Sequence, residues 1–432
     1  MHFKIHPRIS QAHLSTANIV VAIAIRLSFF LFLNLAVGGA NGQTFTVIHQ
    51  FAGGVDGATP EAGLTMDAAG NLYGTTYSGG SNNCQQGCGI VFQLSNRQSE
   101  WILTPIHTFL GTPQGDGALP ASAVLVFGPD GRLYGTTYGG GTVPPRVCLL
   151  GCGTVFRLTA PAALGTWIET VLYSFRGGVD GRHPLSDVTF DQTGNLYGTT
   201  SFGGIYNGGT VYELSSSSSG WTESVPYSFQ RGIGSDGFDP EGGVTFDPSG
   251  NLYGTTVQGG GAYGSGTVYQ LTPSGGGWRE NVLYAFYGIG YPGGDLIFDA
   301  EGNLYGVTVL DTVFTLHPVG NNWYFSVIYD QSPGCGTWGQ ALTMDAMGNL
   351  YGATWCGGSG SCTSGCGTVF KLTPVGGNWM YTLLYSFTGG ADGARPHTTV
   401  LIDPHGNLYG TAEYRGGGTC NGGCGTVWKI TP

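Results

Sequence analysis

Ten cysteines and a recurring set of aspartates are the side chains in this 432-residue sequence with chemistry to offer. Cys84 and Cys88, Cys148 and Cys152, Cys362 and Cys366, and Cys420 and Cys424 stand with three residues between them, each pair before a Gly-x-Val run; Cys335 and Cys356 remain as a fifth pair. Thiolates so spaced either oxidise to disulfides or hold zinc. No histidine accompanies the pairs and the count is even, so five disulfides are expected, the short ones stapling loop bases. Asp56, Asp116, Asp180, Asp236 and Asp392 each precede a glycine. Asp-Gly closes turns, yet these carboxylates, expected on the loop-bearing face near the channel mouth of a ring of repeats, could bind Ca²⁺, an ion that prefers several oxygen ligands. The dense Asp/Asn spacing of a dedicated calcium loop is missing, so no metal or cofactor is assigned, Ca²⁺ being the ion this set would suit. No Gly-x-Ser-x-Gly elbow, His-Glu-x-x-His pair or phosphate loop occurs. His49 and His107 align with Tyr173, while His183 and His397 lie near Asp180 and Asp392 in separate repeats, so no catalytic residue is assigned.

These residues hang on a repeated frame. The word Gly-Asn-Leu-Tyr-Gly stands at 70–74, 194–198, 250–254, 302–306, 348–352 and 406–410, and at 131–135 with Arg132 for the asparagine. The steps between copies run from 46 to 63 residues, the length of one supersecondary unit in a solenoid or propeller. Within a unit, four short runs of β-branched and aromatic residues are bounded by Gly, Pro, Ser or Asp, and no helical periodicity is sustained. The expected fold is all-β: a seven-bladed β-propeller of four-stranded antiparallel blades, with strand A innermost and strand D outermost. The sequence from residue 44 to 51 reads as a D strand and the last unit lacks one, so the N-terminal strand should complete the last blade. Asp67, Asp191, Asp247, Asp299, Asp345 and Asp403 mark uniform A–B turns on a plain face; the B–C and D–A loops decorate the other. Trp101, Trp167, Trp221, Trp278, Trp323 and Trp379 each open a D strand, where interblade packing is expected over sugar stacking.

The unit Gly-Asn-Leu-Tyr-Gly-Thr-Thr, Gly-Thr-Val-Phe, Leu-Thr-Pro, Leu-Tyr-Ser-Phe and Gly-Asp-Gly resembles the GloVer tandem repeat of bacterial exported proteins with differing "choice-of-anchor" C-termini. The resemblance spans nearly all of 44–432. It implies export and repeat architecture and carries no activity. A C-terminal anchor, found in many members, is not evident here.

Residues 1–40 read as a signal peptide: Lys4, Arg8 and Arg26 precede the apolar run Leu27–Val37 and the small residues before a cut after Ala40. The run is shorter than the roughly 20 residues a membrane span needs. Residues 41–432 are then a single propeller domain, expected to be secreted or at the cell surface, monomeric and without a further membrane span. Taking the three basic residues of the leader from the formal −11 leaves −14, which opposes nucleic-acid binding.

Blade 5 breaks the pattern. Its entering loop, 287–294, has no Asp-Gly, and blade 6 has Trp338 in the matching loop. Tyr291 and Trp338 should flank a low sector of the rim where a ligand could stack. The expectation is a non-catalytic protein whose disulfide-braced face binds an extracellular glycan or protein. A carbohydrate-active hydrolase or lyase, with its site at the channel mouth near blades 5 and 6, is the alternative class; a purely structural envelope protein is the third.

Overall fold

Alternating runs too short to bury a core of their own must stack, and they do so seven times. The structure is a computed structural model; it describes residues 42–432 except 113, 122, 143–146, 163–164, 233, 235, 262–263, 289, 310–311, 331–340 and 397–398. The expected signal peptide therefore lies outside the described residues, as do Cys335, Trp338 and His397. Among the described residues there is no helix, and so none long and apolar enough to cross a membrane.

Blade 3 shows the plan. Thr189–Phe190, Leu196–Thr200, Asn207–Ser217 and Gly220–Gln230 pair antiparallel in chain order. Six four-stranded sheets follow this order. In the seventh, Leu401–Ile402, Leu408–Ala412 and Thr426–Thr431 are completed on the outside by Thr44–Gln50. Phe51 N–H also donates to Gly425 O (3.1 Å). The propeller is closed as the sequence implied, with the chain's first strand paired to its last and no open seam.

The core is divided among seven wedges, one between each pair of neighbouring blades. Leu72, Ile90 and Phe92 of blade 1 pack with Phe51, Tyr409 and Val427 of blade 7, and six equivalent clusters continue round the ring. The pentapeptide serves both the turn and the wedge. Gly70 has φ +81°, the left-handed conformation its turn requires. Gly74 has no room for a side chain, because a Cβ there would stand 2.6 Å from Phe92. Asp67 Oδ1 accepts Ala69 and Asn71 N–H, and Oδ2 accepts Asn71 Nδ2 (2.8 Å) and the Tyr73 hydroxyl (2.9 Å). The Tyr73 ring in turn meets Trp167 of the next blade edge-on at 5.9 Å. Tyr134–Trp221, Tyr197–Trp278, Tyr253–Trp323, Tyr305–Trp379 and Tyr409–Trp101 repeat the contact, so the six tryptophans are interblade packing residues. Such edge-to-face pairs add roughly 0.5–1.5 kcal/mol beyond area burial.

Strand D carries a bulge in six blades, at Val91/Phe92 and its equivalents. Beyond it the strand is re-aimed, presenting His107, Tyr173, Tyr227, Tyr284, Tyr329 and Tyr385, with His49 at the same position in the N-terminal strand.

Cys84–Cys88, Cys148–Cys152, Cys362–Cys366 and Cys420–Cys424 are disulfides. Cys356 is disulfide-bonded as well, its expected partner Cys335 lying outside the described residues. The four short staples occupy blades 6, 7, 1 and 2, a continuous arc. Their sulfurs lie against Gly389, Gly53, Gly111 and Gly177, just past each outer strand.

Two outcomes are expected. Deleting Thr44–Phe51 exposes an edge and removes Ile48 and Phe51, buried side chains worth about 1.5–3 kcal/mol each; the melting temperature should fall, and an unchanged transition would refute the closure. Titrating unreduced protein under denaturant with a thiol reagent should find essentially no free thiol, since no described cysteine is free.

Candidate functional site

The D–A crossovers carry the aspartates singled out by sequence. Asp56, Asp116, Asp180, Asp236 and Asp392 accept the backbone N–H of Ala52, Leu110, Arg176, Gln230 and Thr388, at 2.7–2.9 Å. Tyr173, Tyr227 and Tyr385 donate their hydroxyls to Asp180, Asp236 and Asp392 at 3.0–3.1 Å. His49 and His107 take the tyrosine's place, each with Nε2 3.5 Å from its aspartate. The expected position near the channel mouth is corrected here. Each crossover runs from the outermost strand to the innermost, and these aspartates close its outer end, every one held within its own turn.

A partner missed at the sequence level faces three of these turns. Glu169, Glu223 and Glu280 stand two residues after the tryptophan of the following blade's outer strand. Burial, and then the charge of Asp236, pushes the Glu280 carboxyl up to about 7. Burial, and then Asp180, raises Glu223. The Trp-x-Glu recurrence was the available signal. Around the other half of the ring the same contact is aromatic: Tyr284 stacks on Phe325 at 4.1 Å, Tyr329 on Tyr381 at 4.7 Å and Tyr385 on Phe45 at 3.6 Å.

The residues four before each A–B turn meet beside the innermost strands: Gly63 lies against Val124 and Thr399, Gly243 against Asp187 and Asp295, and Asp295 bridges to Ala341. Asp187 and Asp295, from blades 3 and 5, hydrogen-bond each other across Gly243. Val124 N–H donates to Asp187 and Gly243 N–H to Asp295. Burial raises both carboxyls, and the charge of Asp295 raises Asp187 further. Glycine at 243 makes the space, since a Cβ there would lie 3.1 Å from Asp295 Oδ1.

At the loop-bearing mouth, Glu61 is pushed up to about 8 by burial and then by Glu413. Glu413 accepts the Trp355 indole N–H (3.4 Å), and the Arg395 guanidinium lies 4.0 Å over Trp355 and 5.0 Å over Tyr414. His183 turns away from Asp180. Its Nδ1 is 2.9 Å from Tyr138 O, its ring stacks on Tyr138 at 4.2 Å, and burial lowers its pKa.

Blades 4 and 5 provide a cavity of about 530 Å³ lined by Phe238, Val257, Gln258, Tyr291 and glycines. A two-residue ribbon builds its floor by pairing Phe238 with Gln258. Gln258 Nε2 donates to Asp239 Oδ2 (3.0 Å), whereas Asp239 Oδ1 is buried without a partner. Burial, and then Asp239, pushes Glu241 up to about 7. Tyr291 is 43% exposed at the rim. Whether Trp338 faces it falls outside the described residues.

Fold and surface together define an all-β, disulfide-stapled seven-bladed propeller with one loop-bearing face. The chain belongs to the Gloeobacter/Verrucomicrobia repeat family, whose model matches residues 39–161 and 149–311. No curated protein matches its sequence. Among solved structures it is similar to a fungal alcohol oxidase of the AA5 family in complex with copper (14% identity, 91% of this chain and 77% of that one, TM-score 0.56). It is similar too to an ulvan lyase of family PL25 (10% identity, 89% and 95%, TM-score 0.53). A periplasmic gluconolactonase from Pseudomonas aeruginosa aligns over 80% of this chain and 95% of its own at 15% identity and a TM-score of 0.48. At these identities the likeness is one of fold.

The raised carboxyls set a pH dependence. Glu61, Glu241 and Glu280 ionise near 4.5 when unfolded but at about 7 to 8 when folded. The folded state then binds more protons between those values, so their contribution is full below about pH 4.5 and is lost as pH rises through 7 to 8. The turn residues Asp67, Asp345 and Asp403 act oppositely: burial opposes them, but hydrogen bonds from Asn, Tyr and backbone N–H outweigh it and hold their carboxyls low. Their contribution is present above the ordinary carboxylate range and lost in stronger acid. Melting temperature should peak at mildly acidic pH and fall toward pH 8, and Glu61→Gln should flatten that fall in a thermal melt series.

Proposed function

We propose that this protein is an extracellular, non-catalytic binding propeller whose loop-bearing face takes a hydroxyl-rich glycan at blades 4 and 5. One observation carries the reading: the cavity of about 530 Å³ combines the Tyr291 and Phe238 rings with the Gln258 amide. Aromatic faces beside a few fixed polar groups are what a sugar ring, apolar on its C–H face and polar at its edge, requires. Disulfides in four blades suit an oxidising compartment.

An exported carbohydrate-active enzyme is the second reading, favoured by the hydrogen-bonded Asp187–Asp295 pair, because two adjoining carboxyls with raised pKa can divide the roles of acid and base. A polysaccharide panel probed by glycan array and calorimetry separates the two. Binding should appear without product release, and Tyr291→Ala should weaken it at least tenfold, about 1.4 kcal/mol, with the melting temperature unchanged. Binding indifferent to Tyr291→Ala refutes the site. Product release abolished by Asp295→Asn would establish the enzyme instead.

A further inference from the structure

At the outer junction of blades 1 and 2, His107 comes from strand Glu100–Thr108, Asp116 from the crossover and Glu169 from strand Ile168–Ser174 of the next blade. One ligand atom from each lies within 4.8 Å of the other two, and His107 Nε2 is 3.5 Å from Asp116 Oδ1. His107 Nε2 and Glu169 Oε1 are both buried and neither has a hydrogen-bond partner. We propose that His107, Asp116 and Glu169 bind a divalent transition metal of the Zn²⁺ class, tying blade 1 to blade 2.

The neighbouring junctions show why this one differs. Between blades 2 and 3 the Tyr173 hydroxyl stands 3.0 Å from Asp180 and 3.4 Å from Glu223, so a donor lies between two acceptors. Between blades 3 and 4, Tyr227 donates to Asp236 beside Glu280. At the first junction the hydroxyl is replaced by an imidazole nitrogen facing two carboxylates. With Nε2 unprotonated, all three groups present lone pairs, and a cation among them removes the repulsion. A doubly charged metal neutralises the two carboxylates, and the imidazole nitrogen supplies it with a neutral lone pair.

The ligands are held ready. Asp116 accepts Leu110 N–H through Oδ2 and Gly117 N–H through Oδ1, both at 2.7 Å. The imidazole packs edge-on to Phe109 at 4.7 Å. Zinc–nitrogen and zinc–oxygen bonds of about 2.0–2.2 Å place ligand atoms of a tetrahedral site about 3.3–3.6 Å apart. The His107–Asp116 separation already meets that, and a small movement of the Glu169 side chain completes the set. Three protein ligands leave one position for water or for a ligand. Calcium, which takes six to eight oxygens, suits the set poorly, so the metal chemistry here is not that of the five-aspartate ring considered from sequence.

A proton on Nε2 would relieve the same repulsion, and the test separates the two. The full chain, stripped with chelator, is titrated with Co²⁺ followed by visible absorption, and with Zn²⁺ followed by thermal melting. Wild type should bind one equivalent of Co²⁺ with a ligand-field band and gain melting temperature with Zn²⁺. His107→Tyr rebuilds the constellation of the next two junctions, so it should keep the fold and lose both signals; Glu169→Gln should weaken Co²⁺ binding at least tenfold. His49→Tyr, at a junction where Leu103 replaces the glutamate, should change neither. Absence of stoichiometric binding in wild type, or a band that survives His107→Tyr, overturns the site and leaves the proton as the occupant.

Discussion

The structure depends on burial shared between neighbours. A four-stranded blade one sheet thick has two apolar faces and no core of its own, so each face is covered only when the next blade is in place. The tyrosine of the repeated pentapeptide is where that sharing is most exacting. Its hydroxyl is fixed by the turn aspartate of its own blade, and its ring meets the tryptophan of the next. Turn, strand and interface are thereby set by one side chain. The last blade has no tryptophan-bearing strand of its own and takes the chain's first strand, whose Phe45 stacks on Tyr385 of blade 6.

On this uniform frame the outer junctions divide into two arcs. Three of them place a carboxyl of one blade against the Asp-closed turn of the last; three others stack aromatic rings. The polar arc holds carboxyls whose pKa burial raises above the ordinary carboxylate range. Such groups are common where a protein handles a cation or a polar ligand. The disulfides follow a third arc, over blades 6, 7, 1 and 2, opposite the cavity at blades 4 and 5. The braced sector and the open sector are thus different parts of one face.

The propeller is shared with an alcohol oxidase and an ulvan lyase of 14% identity or less. A fold of this kind supplies a rigid ring and leaves chemistry to its loops and channel. In this chain those places hold an aromatic cavity and a carboxyl pair meeting over a glycine, while His107, Asp116 and Glu169 converge at an outer junction.

Sequence alone determined the blade count, strand order, ring closure and four of the disulfides, because each follows from local patterns repeated in phase: a glycine at positive φ, alternating apolar residues, cysteines four apart. It also identified the turn role of Asp67 and its equivalents, whose partners lie within six residues. What it missed are meetings between blades. Asp187 and Asp295 are more than a hundred residues apart and touch because Gly243 between them has no side chain. His107 and Glu169 meet because a bulge re-aims one outer strand toward the next. The aspartates expected near the channel mouth lie instead at the outer ends of their crossovers. Spacing along a chain fixes which residues share a turn; only the ring of packed blades decides which turns face each other.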